Sequence, residues 1–154
     1  MTGVANTILI EPANGLTVVR EKLAGDAITP GMLLENAAAG TFVTHVGAGL
    51  NAQKLFALEN VARAGGIADA YVVGETVRGL YAQRGDLINA ALAASAAAIV
   101  IGDALESSGD GYLRIARADA ATDTAQRDAI VAYAAEAVDN SGGAAGVRIQ
   151  VEVA

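Results

Sequence analysis

Glycine interrupts this chain so often that long regular elements have little room: 18 glycines fall within 154 residues, and the short stretches between them are rich in β-branched side chains. Thr7-Ile8-Leu9-Ile10 reads as a brief extended run stopped by Pro12, with Asn14-Gly15 as a turn. Thr17–Arg20 and Asp26–Ile28 follow, and Pro30-Gly31 turns the chain before Met32-Leu33-Leu34. Thr41–Val46 alternates cleanly, with Phe42, Thr44 and Val46 on one face, and Lys54–Glu59 reads as its partner strand. Further strands are expected at Ala70–Val73, Glu75–Tyr81, Leu87–Ala90, Ile99–Ile101 and Tyr112–Ile115. The turns between them carry Arg84-Gly85-Asp86, Gly102-Asp103 and Ser107–Gly111. In the last stretch, Val147, Ile149, Val151 and Val153 alternate with Arg148, Gln150 and Glu152. Many short strands at this spacing predict a small, mainly β domain of barrel or sandwich type with at most one or two short helices.

Two segments resist that reading. Ala125–Val138 places Ile130, Val131, Tyr133, Ala134, Ala137 and Val138 at helical spacing, and its alanines favour a helix. Read with a period of two, Val131, Tyr133, Ala135 and Ala137 share one face of a strand. Leu87–Ala98 carries the same ambiguity, and local propensity alone makes both segments helices, so the residues by themselves leave an α+β outcome open beside the mainly β one.

Composition narrows the class further. The apolar residues comprise 36 alanines and 46 larger side chains, so the core is real but built of small pieces. Each larger side chain contributes roughly 1.5–3 kcal/mol where fully buried, enough to set against the chain entropy of one compact domain. The absence of cysteine excludes disulfides, thiolate metal sites and a cysteine nucleophile, and the single histidine, His45, excludes a multi-histidine metal site. A formal charge of −7, with ten scattered Lys and Arg, argues against a nucleic-acid surface. The longest apolar stretch, Ala90–Ile101, is interrupted by Ser95 and is too short to span a membrane. Met1–Asn6 has neither a basic region nor an apolar signal core, so synthesis in a cytoplasm-like compartment is expected.

No constellation predicts chemistry. Gly47-Ala48-Gly49-Leu50-Asn51-Ala52 has the spacing of a dinucleotide-binding turn, but the chain before Ala64-Gly65-Gly66 is too short for the crossover helix that motif needs. Asp103, Glu106, Asp110, Asp119 and Asp123 lack the spacing of a calcium loop and read as solvated turn formers. Ser95, Ser107, Ser108 and Ser141 lie outside any nucleophile elbow, and alternation puts His45 opposite the Phe42 face, as a surface or interface histidine. Arg84-Gly85-Asp86 reads as a turn rather than an adhesion tripeptide, and neither Lys22 nor Lys54 sits at a carrier-type hairpin tip. The expectation is a non-enzymatic protein with no cofactor and no metal. A small ligand-binding barrel or enzyme using Arg78, Arg84 or Arg114 in an anionic pocket is the rival from another class.

The order of several motifs resembles the head decoration, or capsid cement, proteins of tailed bacteriophages. The stretches are Ile28–Glu35, Phe56–Asn60, Ile67–Tyr71 with Gly74–Val77, Arg84–Ala90 and Gly102–Gly111, then Ile130–Asp139, a glycine-rich turn and Arg148–Val153. The resemblance covers about Ile28 to the end. It implies a mainly β domain bound to the outer surface of the major capsid protein shell at capsomer junctions, stabilising the mature head. It also implies that Ile130–Val138 is a strand, that the protein is made in the host bacterial cytoplasm and resides in the virion, and that it self-associates, with a trimer favoured over a dimer, both states being known in such proteins. No nucleic acid or membrane partner is implied. Another β-rich virion component, such as a tail or fibre-associated subunit, is the alternative.

Within that frame the chain divides into an extended N-terminal arm, residues 1–12, and a single β-rich domain, residues 13–154. The arm becomes strongly apolar at Ile8, Leu9 and Ile10, which with His45 are the candidate capsid or subunit contacts. The arm either adds a strand to the sheet edge of a capsid protein or neighbouring subunit, or forms an ordinary first strand of the domain.

Overall fold

A computed structural model describes residues 6–94, 98–117 and 128–154. Its strands are β1 (Leu9–Glu11), β2 (Val18–Leu23), β3 (Leu34–Asn36), β4 (Phe42–Thr44), β5 (Leu55–Ala57), β6 (Thr76–Tyr81), β7 (Leu87–Ala91), β8 (Ala104–Ser107), β9 (Leu113–Ile115), β10 (Ala132–Ala134) and β11 (Arg148–Val153), with a 3-10 turn at Val61–Arg63. They form a six-stranded sheet in the order β1-β7-β11-β10-β8-β9, a three-stranded sheet β2-β6-β5 and a two-stranded sheet β3-β4. All pairings between these strands are antiparallel. The sheets stay open, so the architecture is the sandwich-like outcome and not a closed barrel.

Alternation along β5 and β6 shows that the three-stranded sheet is the middle of three layers. Phe56 and Leu80 belong to the buried cluster shared with Ile88, Leu105, Ile149 and Val151 of the six-stranded sheet. Their neighbours Leu55, Ala57 and Val77 belong to a second cluster with Leu34 and Phe42 of the two-stranded sheet, together with Ile28 and Tyr71. The middle sheet is therefore apolar on both faces, and the domain has two cores. Gly79 shows how closely the second core is packed: a Cβ there would lie 2.7 Å from Phe42 Cε2 and 3.0 Å from Leu55 Cδ1. The strand keeps a glycine because the phenyl ring lies directly on its backbone.

Several local readings change once pairing is known. Lys54–Glu59 does contain a strand, but β5 pairs with β6 and not with β4, whose partner is β3. Ala70–Val73 and Ile99–Ile101 supply only the isolated bridges of Tyr71 with Ile28 and Ile99 with Val138. Leu87–Ala91 is a central strand, bonded to β1 on one side and β11 on the other. In the alanine-rich stretch Ala125–Val138, residues 125–127 lie outside the described residues, while β10 is a strand with Ala132 and Ala134 buried and Tyr133 exposed. Ladders to β11 and β8 engage its backbone on both edges. These pairings outweigh alanine's modest helical preference, which is a few tenths to about 1 kcal/mol per residue.

Candidate functional site

A recurring turn accounts for three of the five glycine-acid pairs of the sequence. At Val72-Val73-Gly74-Glu75, Gln83-Arg84-Gly85-Asp86 and Val100-Ile101-Gly102-Asp103, the fourth residue's N–H donates to the first residue's carbonyl at 3.1, 3.0 and 3.1 Å. The acidic side chain accepts a hydrogen bond from the first residue's N–H at 2.9, 2.8 and 2.9 Å. The glycines have φ of 87, 89 and 91°, a left-handed conformation that a side chain would strain. Each turn leads directly into β6, β7 or β8. The motifs Gly74-Glu75, Gly85-Asp86 and Gly102-Asp103 thus specify strand starts.

A buried polar junction ties the outer sheets together. His45 Nδ1 lies 2.7 Å from Ser107 Oγ, and Glu35 Oε2 lies 3.8 Å from His45 Nε2. These are the residue types of a nucleophilic triad, but Ser107 is fully buried and its Oγ also accepts the Gly109 N–H at 3.2 Å. The hydroxyl is therefore engaged inside the fold and is not presented to solvent. Backbone bonds reinforce the same junction: Gly111 N–H donates to the His45 carbonyl, and Leu33 N–H to the Gly111 carbonyl. The surface reading of His45 is corrected, since the residue is only 5 % exposed; the turn after β8 covers it.

Beside this junction the buried Glu106 Oε1 accepts hydrogen bonds from Arg114 Nε at 2.9 Å and Arg117 Nε at 3.2 Å. Gly49 packs against this cluster; a Cβ there would meet Arg117 Nη2 at 2.4 Å. Gly49 serves this approach, while Gly47 packs against His45 and Leu50, and a strand, β5, follows the motif where a dinucleotide site needs a helix. Among the acidic candidates, Glu106 is taken by two arginines, Asp103 closes its turn and Asp110 accepts the Tyr112 N–H. Asp119 and Asp123 lie outside the described residues, among which no group of three or more His, Cys, Asp or Glu is arranged to hold a metal ion.

The apolar run of the proposed arm lies against the domain. Ile8 is fully buried in the first core and its N–H donates to Glu59 Oε1 at 2.7 Å, while Leu9 and Ile10 are half-buried in and beside the β1–β7 ladder. In this single chain, Ile8 is therefore core and is not offered to another molecule, and it stands apart from His45, which lies in the junction between β4 and β8.

The surface carries apolar side chains that propensity reasoning left unlocated. Val72, Val73, Val100 and Ile101 are 59–70 % exposed at the tips of two of the carboxylate-closed turns. Leu23, 52 % exposed, adjoins the first of these tips, because Gly74 N–H donates to the carbonyl of Ala24. Arg63, exposed, and Glu75, half-buried, form an ion pair beside shallow depressions lined by Glu21, Asn60, Asp69 and Arg78. A valine or isoleucine pair preceding Gly-Glu or Gly-Asp is the sequence signal for the displayed tips.

Three stacked antiparallel sheets, a buried polar junction and rigid apolar turn tips define a small all-β domain with a structured surface. Comparison with family models and with the curated proteins finds no match. Among solved structures, the chain is similar to the N base of the head fibre gp8.5 of bacteriophage phi29, with a TM-score of 0.55 and 13 % identity, over 90 % of this chain and 95 % of that one. At that identity the likeness is one of fold.

Proposed function

We propose that this protein is a structural component of a tailed-phage head: a decoration protein that binds the outer face of the major capsid protein shell at capsomer junctions and stabilises it. The observation that carries the reading is the fold likeness to a head-fibre base over nearly the whole of both chains, taken together with the ordered decoration-type motifs. The role is non-enzymatic. Its physical requirements are contact area and solubility: turn tips held rigid by their own carboxylates present apolar side chains at little entropic cost, and a charge of −7 keeps free copies apart and off DNA. Self-association as a trimer is part of the proposal, as are synthesis in the host cytoplasm and residence on the outer capsid surface.

The test mixes purified protein with expanded, undecorated capsids and follows binding stoichiometry and capsid melting temperature. Saturable binding at many equivalent sites with a raised melting temperature supports decoration. Occupancy of only a few sites per capsid, without a shift in melting, favours the second reading, the base of a head fibre, which the same fold likeness motivates. No binding to any shell rejects both, and a solution mass near the 15.4 kDa of one chain rejects the trimer.

A further inference from the structure

The middle sheet ends on β2, and β2 is long for an edge: six residues, against three in each of β1, β5 and β9, the other terminal strands of the two larger sheets. Hydrogen-bond direction identifies its free backbone groups. On β6, the Arg78 carbonyl turns towards β5, where it accepts the Leu58 N–H, and just beyond it the Ala82 N–H donates to the carbonyl of Lys54. The alternate residues Val77, Gly79 and Tyr81 therefore turn towards β2, opposite Lys22, Arg20 and Val18. The next residue in that series, Ala24, donates to the Glu75 carbonyl at 2.8 Å as this assignment requires.

Val19 and Glu21 thus direct both N–H and C=O away from the sheet, and no described residue pairs with them. Further along the same edge Gly25 finds a partner, donating to the Phe42 carbonyl at 2.8 Å, so the free stretch stops where β4 begins to cover it. Neither proline nor a register shift blunts β2, whose pairing with β6 runs unbroken from Val18 to Leu23.

Charge narrows what can fill this edge. Arg20-Glu21-Lys22 is a locally positive run in an acidic chain, with Arg20 and Lys22 on one face and Glu21 on the other; the Lys22 ammonium donates to Asn36 Oδ1 at 2.6 Å over the Phe42 ring, a neutral partner and ring that leave its charge uncompensated. A second copy fits poorly. Twofold pairing through the outward groups must centre on Val19, Arg20 or Glu21. Centring on Arg20 sets that residue against itself, and centring on Glu21 opposes Glu21 to itself and Arg20 to Lys22. Centring on Val19 overlaps only Thr17–Glu21, between chains that each carry −7. We propose that the free edge of β2 binds an extended acidic segment of another protein by antiparallel strand addition, with carboxylates opposite Arg20 and Lys22. This does not depend on the capsid reading, since any protein can supply such a strand.

The probe is a blocked synthetic peptide whose central Glu-Lys-Glu is flanked by threonine and valine, with a Lys-Glu-Lys peptide as its charge-reversed control. Binding is followed by fluorescence anisotropy, and amide hydrogen exchange of the intact protein by NMR. The expected result is saturable binding of the Glu-Lys-Glu peptide at least tenfold tighter than the control, with exchange slowed at Val19 and Glu21. Arg20→Glu, at an exposed position, is expected to reverse the preference while leaving the thermal midpoint within a few degrees of wild type. Equal binding of the two peptides, or protection located elsewhere, overturns the proposal. So does a concentration-dependent dimer that protects the same amides without peptide, since the occupant is then a second copy.

Discussion

Replacing Gly79 with alanine tests the three-layer packing at its tightest point. The new methyl would stand 2.7 Å from Phe42 Cε2, 2.9 Å from Phe42 Cζ and 3.0 Å from Leu55 Cδ1. Gly79 is not among the positive-φ glycines, so alanine suffers no backbone strain there and gains about 0.5–1 kcal/mol from the stiffer unfolded chain. Against this stands overpacking of about 1–3 kcal/mol, because a fully buried phenyl ring cannot swing aside as a flexible chain end can. The balance predicts a net loss of about 0.5–2 kcal/mol. Phe42→Ala alone should cost about 3–5 kcal/mol as a buried aromatic truncation. In that background the methyl at position 79 enters the space the ring has left, so Gly79→Ala should become neutral or stabilising by up to about 1 kcal/mol. The sign reversal is read from urea unfolding of the four proteins, followed by far-UV circular dichroism because the chain has no tryptophan. Additivity of the two substitutions within about 0.5 kcal/mol, or a stabilising Gly79→Ala in the wild type, would refute the packing argument.

Three further outcomes follow from the buried groups and turns. Glu106→Gln should lower stability by about 2–3 kcal/mol, less than the loss for a fully buried pair because Arg117 reaches water, whereas Arg117→Ala should cost under about 1 kcal/mol; equal losses in chemical denaturation would mean that Arg114 does not anchor the carboxylate. Gly102→Ala places a side chain at φ 91° with open space around it, so its loss of about 1–2 kcal/mol is pure backbone strain, and a neutral result would contradict the left-handed turn. Burial raises the Tyr71 pKa above its usual 10.0, and its hydroxyl donates to the Leu58 carbonyl at 2.8 Å. Because the folded state favours the neutral phenol, that contribution is intact below pH 10 and is lost as pH rises through the raised value. Tyr71→Phe should cost about 1 kcal/mol at neutral pH and flatten the alkaline fall, and an unchanged alkaline profile would place the sensitivity elsewhere.

Turn chemistry was legible in the sequence because it is local. Gly85-Asp86 and Gly102-Asp103 each close a turn within four residues, and they sit where glycine and acid spacing put them. The alternation of Val147–Val153 likewise marks β11, since both its neighbours demand one apolar face. His45 was misplaced for the opposite reason: what buries it is Ser107 and the turn beyond, 62 residues away along the chain. The apolar run at Ile8 shows the same limit, because its environment depends on Glu59 and the sheet beside it and not on its own polarity pattern.

Glycine spacing, residue types and side-chain period are properties of neighbouring residues, and they already specify a small, mainly β domain of short strands without thiol or multi-histidine chemistry. Tertiary structure alone decided that β5 joins β6, that alanine-rich β10 is a strand inside a sheet, and that β2 is left with an open edge. Each of those outcomes depends on which distant backbone groups satisfy one another, and hydrogen bonds between strands far apart in the chain leave no periodic trace in either partner's sequence.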